Sequence, residues 1–482
     1  MGQSVKHGEE LAYALATPYS LHKSRTGGIL ARLLWADVKL VAARMYAPRP
    51  QSGFIEEYCD AIYDPSERDV PLRYQKMIIE YVVRNFGRPN VRGLSNRLAV
   101  LVLRGLDAVR EVTEAIGHIT QHVRGDSLRG TFGDFFREDS EALENDPAYQ
   151  PRRRLLEKYE SLHKVGPAPR KNDFFEPAVL TGTSPEMTEA HLKLFRKYAY
   201  SDGGFVLDAV DELDSPTTET SMVVLKPESF RRGDPMPGNL IDFFARTGMR
   251  ITAMKVLELG EEEAREFYAL KLPQFREQLK GMVAQRARQI VHRARVLARE
   301  AVDRLGADPA AAFEPASALD VVKAAETLLS REPGPGEVKP AVLERLFEEL
   351  KRRLRDLDPP DSLYDELAEV LKDANARAEF DVLIQYMTGK DPATGHSLHE
   401  SEEARCMAIL YSGQDALSVI RERLKELRRV YGRNLLQNRA HASDPEEDPI
   451  KEMSVLGMST SPQGESMPCD VEKVVNEFYG PE

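Results

Sequence analysis

Val224-Leu225-Lys226-Pro227-Glu228-Ser229-Phe230-Arg231-Arg232-Gly233 runs into Asn239-Leu240-Ile241-Asp242-Phe243-Phe244, then into Met249-Arg250-Ile251-Thr252-Ala253-Met254-Lys255. An apolar strand stops at a proline, and a loop follows. The next segment carries apolar residues at three-to-four spacing, and a second strand closes the unit. The pattern already occurs near the N-terminus. There Leu15-Ala16-Thr17-Pro18-Tyr19 leads through Arg25-Thr26-Gly27-Gly28 into Ile29-Leu30-Ala31-Arg32-Leu33-Leu34 and Val38-Lys39-Leu40-Val41. Further matches keep the same order: Phe54–Tyr58 with Arg265–Tyr268, Met77–Tyr81 with Val382–Tyr386, and Val100–Val109 with Met407–Leu417. Such a series reads as two copies of one domain.

Strand–helix–strand followed by helix–strand–helix–strand is the ferredoxin-like arrangement. The expected fold class is therefore α+β: two ferredoxin-like domains with antiparallel sheets, the second interrupted by an α-helical insertion. The first copy is placed at 1–200, the second at 215–278 and 378–482, and the insertion at 279–377. Within the insertion, Pro340–Leu350 carries an apolar stripe among charges. It reads as a small helical bundle beside the core. The first copy has its own polar insertion around 125–172, and its clusters Arg152-Arg153-Arg154 and Arg170-Lys171 read as a solvated face.

A chain of 482 residues, 42% hydrophobic, implies more than one core and argues against wholesale disorder. Its formal charge of −12 argues against a nucleic-acid-coating protein. Cys59, Cys406 and Cys469 form no CxxC pair, so neither a disulfide framework nor a zinc site is expected. No apolar run suffices to span a bilayer. Met1–Lys6 lacks a secretory core, and Lys6 stands where a myristoylation signal has Ser or Thr. The expectation is a soluble, cytoplasmic protein.

The chemistry concentrates in Asn438-Arg439-Ala440-His441-Ala442-Ser443-Asp444. A neutral imidazole is abundant near pH 7, and one ring nitrogen is nucleophilic. A carboxylate on the other nitrogen fixes the tautomer and steadies the charge that develops. Taken with the Lys226-Pro227-Glu228 run upstream, this segment resembles the nucleoside-diphosphate kinases. The resemblance implies transfer of the terminal phosphoryl group of a nucleoside triphosphate to a nucleoside diphosphate, through a phosphohistidine on His441. By it Glu452 orients the ring and Ser443 stands beside the histidine. Lys226, Arg421 and Arg428 meet the phosphates, Tyr268 stands beside the phosphohistidine site within the nucleotide-binding set, and Asn438 meets the sugar. It also implies Mg2+ held mainly by the nucleotide phosphates. Self-association, and a protein partner at the helical insertion, stay open.

The chain departs from the family pattern in several places. Ala442 replaces the glycine after the histidine, and Pro445 replaces a serine. The loop between Arg421 and Arg428 is much shorter than the family's nucleotide-covering loop. The base-stacking position falls near Glu379 or Gln274, with Phe380 and Phe275 adjacent.

The first copy reads as disarmed. Thr17 stands at the lysine position, while Arg129 in Ser127–Gly133 keeps an arginine. Aligning on Ser184-Pro185-Glu186 puts Leu180 at the histidine position. His191, in the following helix, reads as a surface residue. Two rival readings remain: a nucleotide-binding regulatory or scaffold protein that has lost turnover, and a carrier passing phosphate from His441 to a polypeptide.

Overall fold

The computed structural model describes residues 8–64, 72–86, 93–119, 125–136, 174–206, 217–231, 233–269, 376–390, 404–433, 437–443, 449–458 and 469–481, with 89, 272–273 and 276–277. Nearly all of the expected insertion at 279–377, and the arginine clusters at 152–154 and 170–171, lie outside them. The chain divides into two compact units. One is formed from 1–257, 405–431 and 439–482, the other from 258–404 and 432–438.

The first unit holds two four-stranded sheets. One comprises β1 (Glu9–Ala16), β2 (Val38–Tyr46), β3 (Leu98–Leu106) and β6 (Val179–Leu180), in the order β2-β3-β1-β6. Between them in sequence, β4 (Asp134–Phe136) and β5 (Phe174–Glu176) make a separate ribbon. The other sheet comprises β7 (Thr218–Leu225), β8 (Arg250–Glu258), β9 (Arg405–Gln414) and β10 (Ala440–Ala442), in the order β10-β7-β9-β8. Both sheets thus place their second, third, first and fourth strands side by side. In the first, β3 runs antiparallel to both β1 and β2, so β1 and β2 are parallel and need a crossover. Helix α1 (Thr26–Leu33) supplies it, and α2 (Met236–Ala245) does so in the second copy. Two ferredoxin-like α+β domains are the result.

Alternation along β1 shows why the strand forms. Leu11, Tyr13 and Leu15 enter one buried cluster, while Ala12, Ala14 and Ala16 enter another. The alanine face joins residues of both sheets, including Val223, Leu225 and Met407, into one core. Across it α1 and α2 cross at Gly27 and Gly238. A methyl group on Gly238 would lie 2.2 Å from the Ala31 backbone nitrogen, and one on Gly27 would lie 2.3 Å from that of Asp242. Only residues without a Cβ allow this approach.

The outer strands β2 and β8 are tied by one carboxylate. Asp470 Oδ2 accepts the N–H groups of Ala43 and Val256, each at 2.8 Å. Asp470 opens the C-terminal helix Asp470–Tyr479, whose Val471 and Val475 bury against the aromatic face of the first sheet. An edge strand otherwise presents unpaired N–H groups. The end of the second copy thus completes the core of the first.

His191 is not at the surface. It is 1% exposed, its Nδ1 lies 2.7 Å from the Tyr13 hydroxyl, and its ring stacks on Tyr58 at 4.1 Å. The reason is helical phase. His191 shares the inward stripe of Pro185–Lys197 with Thr188, Leu192 and Phe195. Burial pushes its pKa down to about 4. Among the described residues, no helix is long and apolar enough to cross a membrane.

Candidate active site

β7 ends where Pro227 removes a backbone donor, and Pro227–Ser229 turns as a 3-10 helix. Beside it, β10 pairs antiparallel, with Ala440 opposite Leu225, His441 opposite Val224 and Ala442 opposite Val223. The Lys226 N–H continues the ladder to the Arg439 carbonyl at 2.9 Å. Ser443 continues it at the other end, its N–H donating to the Met222 carbonyl at 2.9 Å. Ser443 Oγ accepts from Met222 N at 3.4 Å, so this side chain supports the strand.

His441 is 4% exposed, and its Nε2 lies 3.1 Å from Oε1 of the 2% exposed Glu452. Glu452 reaches it from the short helix Pro449–Val455. A carboxylate accepts, so Nε2 carries the proton and the nucleophilic lone pair belongs to Nδ1. Lys226 is buried beside this strand, and burial pushes its pKa down to about 8. Glu228 opposes that shift, Arg428 adds to it and Cys406 opposes it. Arg428 Nη2 donates to the Ala440 carbonyl at 3.2 Å, next to the histidine.

The structure corrects one expectation here. The segment joining Arg421 and Arg428 is not a loop. Helix α3 (Ala416–Tyr431) runs unbroken through both, burying Ile420, Leu424 and Leu427. The segment contains neither Gly nor Pro, and its apolar residues keep helical spacing. Arg421 and Arg428, seven residues apart, lie on one side of that helix. Tyr268 and Asn438 belong to the second unit. Tyr268 is buried there, edge-on to Phe267 with centroids 4.8 Å apart. Of the stacking candidates, Gln274 and Phe275 lie outside the described residues, while Glu379 and Phe380 sit in the helical stretch 376–387.

The first copy repeats this framework without its chemistry. Leu180 pairs with Leu15 as His441 pairs with Val224. The Thr17 N–H donates to the Ala178 carbonyl at 3.1 Å, as Lys226 does to Arg439. Arg129 Nη2 donates to the Val179 carbonyl at 3.3 Å, as Arg428 does to Ala440. Leu180 therefore occupies the histidine register. In place of an ammonium, the Thr17 hydroxyl donates to Glu176 Oε1 at 3.0 Å, and Tyr81 donates to the same carboxylate. Glu228 and Arg439 went unassigned in the sequence. The clue was a carboxylate directly after Lys226-Pro227.

Comparison with known proteins gives several partial relatives. No family model matches the chain. A nucleoside diphosphate kinase of Staphylothermus marinus is 43% identical over 53 residues, 11% of this chain and 36% of that protein. One of Campylobacter jejuni is 32% identical over 68 residues, 14% of this chain and 48% of that protein. One of Campylobacter lari is 36% identical over 52 residues, 11% of this chain and 36% of that protein. The chain thus spans about a third to a half of the length of the curated relatives it matches. A solved NDP kinase from Pyrobaculum aerophilum aligns with a TM-score of 0.25 and 18% identity, covering 39% of this chain and 95% of that one. Over those segments, the chain is similar to nucleoside diphosphate kinases.

Proposed function

We propose that the chain transfers phosphoryl groups between nucleotides through His441. The observation that carries this reading is the buried His441–Glu452 pair, with the backbone of Lys226 paired to the same strand and the Arg428 guanidinium bonded to it. Nδ1 attacks the terminal phosphorus of a nucleoside triphosphate, a P–N bond forms, and the bond to the departing diphosphate oxygen breaks. An oxygen of an acceptor diphosphate then attacks the same phosphorus, and the P–N bond breaks. Glu452 stabilises the positive charge the ring gains at each crossing. Lys226 and Arg428, joined by Arg421, offset charge on the moving group, which is where most catalysis of this reaction resides. Tyr268 and Asn438 are assigned to the nucleotide by resemblance. Mg2+ enters as part of the nucleotide substrate. The positive charge of Lys226 and Arg428 repels a bare cation.

A second reading draws support from α3, which stands where the family's covering loop was expected. On it the chain binds nucleotides without exchanging phosphate. Incubation with γ-labelled ATP followed by a GDP chase separates the two. Label moving into GTP supports the transfer reading, and nucleotide binding without exchange supports the second.

A further inference from the structure

In each copy a buried carboxylate accepts the N–H of a left-handed residue two positions before the nucleophile register. In the second copy, Glu228 Oε1 lies 2.8 Å from the nitrogen of Arg439, whose φ is +72°. In the first, Glu176 Oε1 lies 3.0 Å from the nitrogen of Ala178, whose φ is +59°. The two acids have different origins: Glu228 follows β7, and Glu176 ends β5. Two unrelated segments thus deliver the same group to the same place. A non-glycine residue at positive φ is strained and persists only where its surroundings hold it. Around Arg439 they do. Its Nη1 donates to the Glu228 carbonyl at 2.9 Å and its Nε to the Tyr431 carbonyl at 3.2 Å.

The Arg439 turn touches both arms of the site. Its carbonyl accepts the Lys226 N–H at 2.9 Å, and His441 follows two residues later. Glu228 is 8% exposed, and its second oxygen, Oε2, has no hydrogen-bond partner among the described residues. That buried, unpartnered oxygen belongs to a residue two positions from Lys226.

We propose that Glu228 is a positioning residue, which holds the Lys226 ammonium and the His441 ring in fixed relation through the Arg439 turn. This rests on the phosphoryl-transfer reading and deepens it. The first copy keeps the turn and its acid although it has lost both the lysine and the histidine. The acid therefore serves the conformation, and in the second copy it also serves the charge beside it.

Charged or titratable groups that bear on Lys226 include Glu228 from its own turn, Arg428 from α3 and Cys406 from β9. Glu228→Gln keeps an oxygen for the Arg439 N–H but removes the charge. The test is made on the full chain with carbon-13-labelled lysine, the Lys226 signal being assigned with Lys226→Arg. Lys226 in E228Q is expected to titrate at lower pH than in the unaltered chain. His441 phosphorylation in a single turnover should slow by on the order of 10–100-fold. Nucleotide affinity should stay within about three-fold, and Glu228→Asp should restore part of the rate. An unmoved titration, or a loss appearing only in affinity, would overturn the proposal. Should E228Q fail to fold, the same titration is made in E228Q with Arg439→Gly, where glycine adopts the turn without strain. If the unaltered chain takes no phosphoryl group, the transfer reading fails, while the Lys226 titration still decides the role of Glu228.

Discussion

Glu452 is what distinguishes His441 from any other ring in a short strand. Its carboxylate holds the proton on Nε2. Glu452→Ala should slow phosphorylation by on the order of 10–100-fold. It should also lower stability by about 1–3 kcal/mol, because a buried N–H loses its acceptor. A denaturant midpoint beside a single-turnover rate reads both effects, and an unchanged rate would mean the ring needs no orienter. Lys226 makes a prediction in pH. With a pKa of about 8 it is charged below that value and neutral above it. The phosphorylation rate should therefore fall as pH rises through about 8. A profile flat across that range would show that the ammonium does not act on the moving phosphate.

At the scale of elements, the tightest demand is the crossing of α1 and α2. Gly238→Ala places a methyl group against backbone, which cannot rotate away, so the helices must part. The expected loss is about 1–3 kcal/mol, read from a urea midpoint. A change below about 0.5 kcal/mol would mean the crossing yields freely. Periodicity made most of these elements legible. The alternation in β1 and the three-to-four spacing of Ile29–Leu34 report burial, which follows from side-chain direction alone. Counting from Ser184 also found Leu180, because the register between matching strands is preserved. In α3 the resemblance implies a loop, whereas the residues themselves spell a helix. Residue type alone suggests a surface position for His191, but its place on a buried stripe decides otherwise. The Asp470 bridge and the left-handed Arg439 turn join segments far apart in the chain, and no local pattern announces them.

For the whole molecule, the first copy acts as a fixed partner to the second, sharing its core and its C-terminal helix. Two buried groups give that assembly opposite responses to acid. His191 is held at about 4, below its ordinary 6.5, so its contribution is complete above 6.5 and is lost as pH falls through 4. Asp470 is pushed up to about 6 by burial, so its contribution is complete below 3.8 and is lost as pH rises through 6. His191→Gln should therefore flatten the fall of Tm between pH 6.5 and 4, and an unchanged slope would show that this ring does not govern acid sensitivity. The central claim is that one copy carries the phosphoryl group and the other cannot. It is tested most directly by reacting the full chain with γ-labelled ATP and locating the label by mass spectrometry under alkaline conditions that preserve phosphohistidine. The account predicts at most one phosphoryl group per chain, on His441, and none after His441→Ala. Label that persists in that variant, or that sits on the first copy, would contradict it.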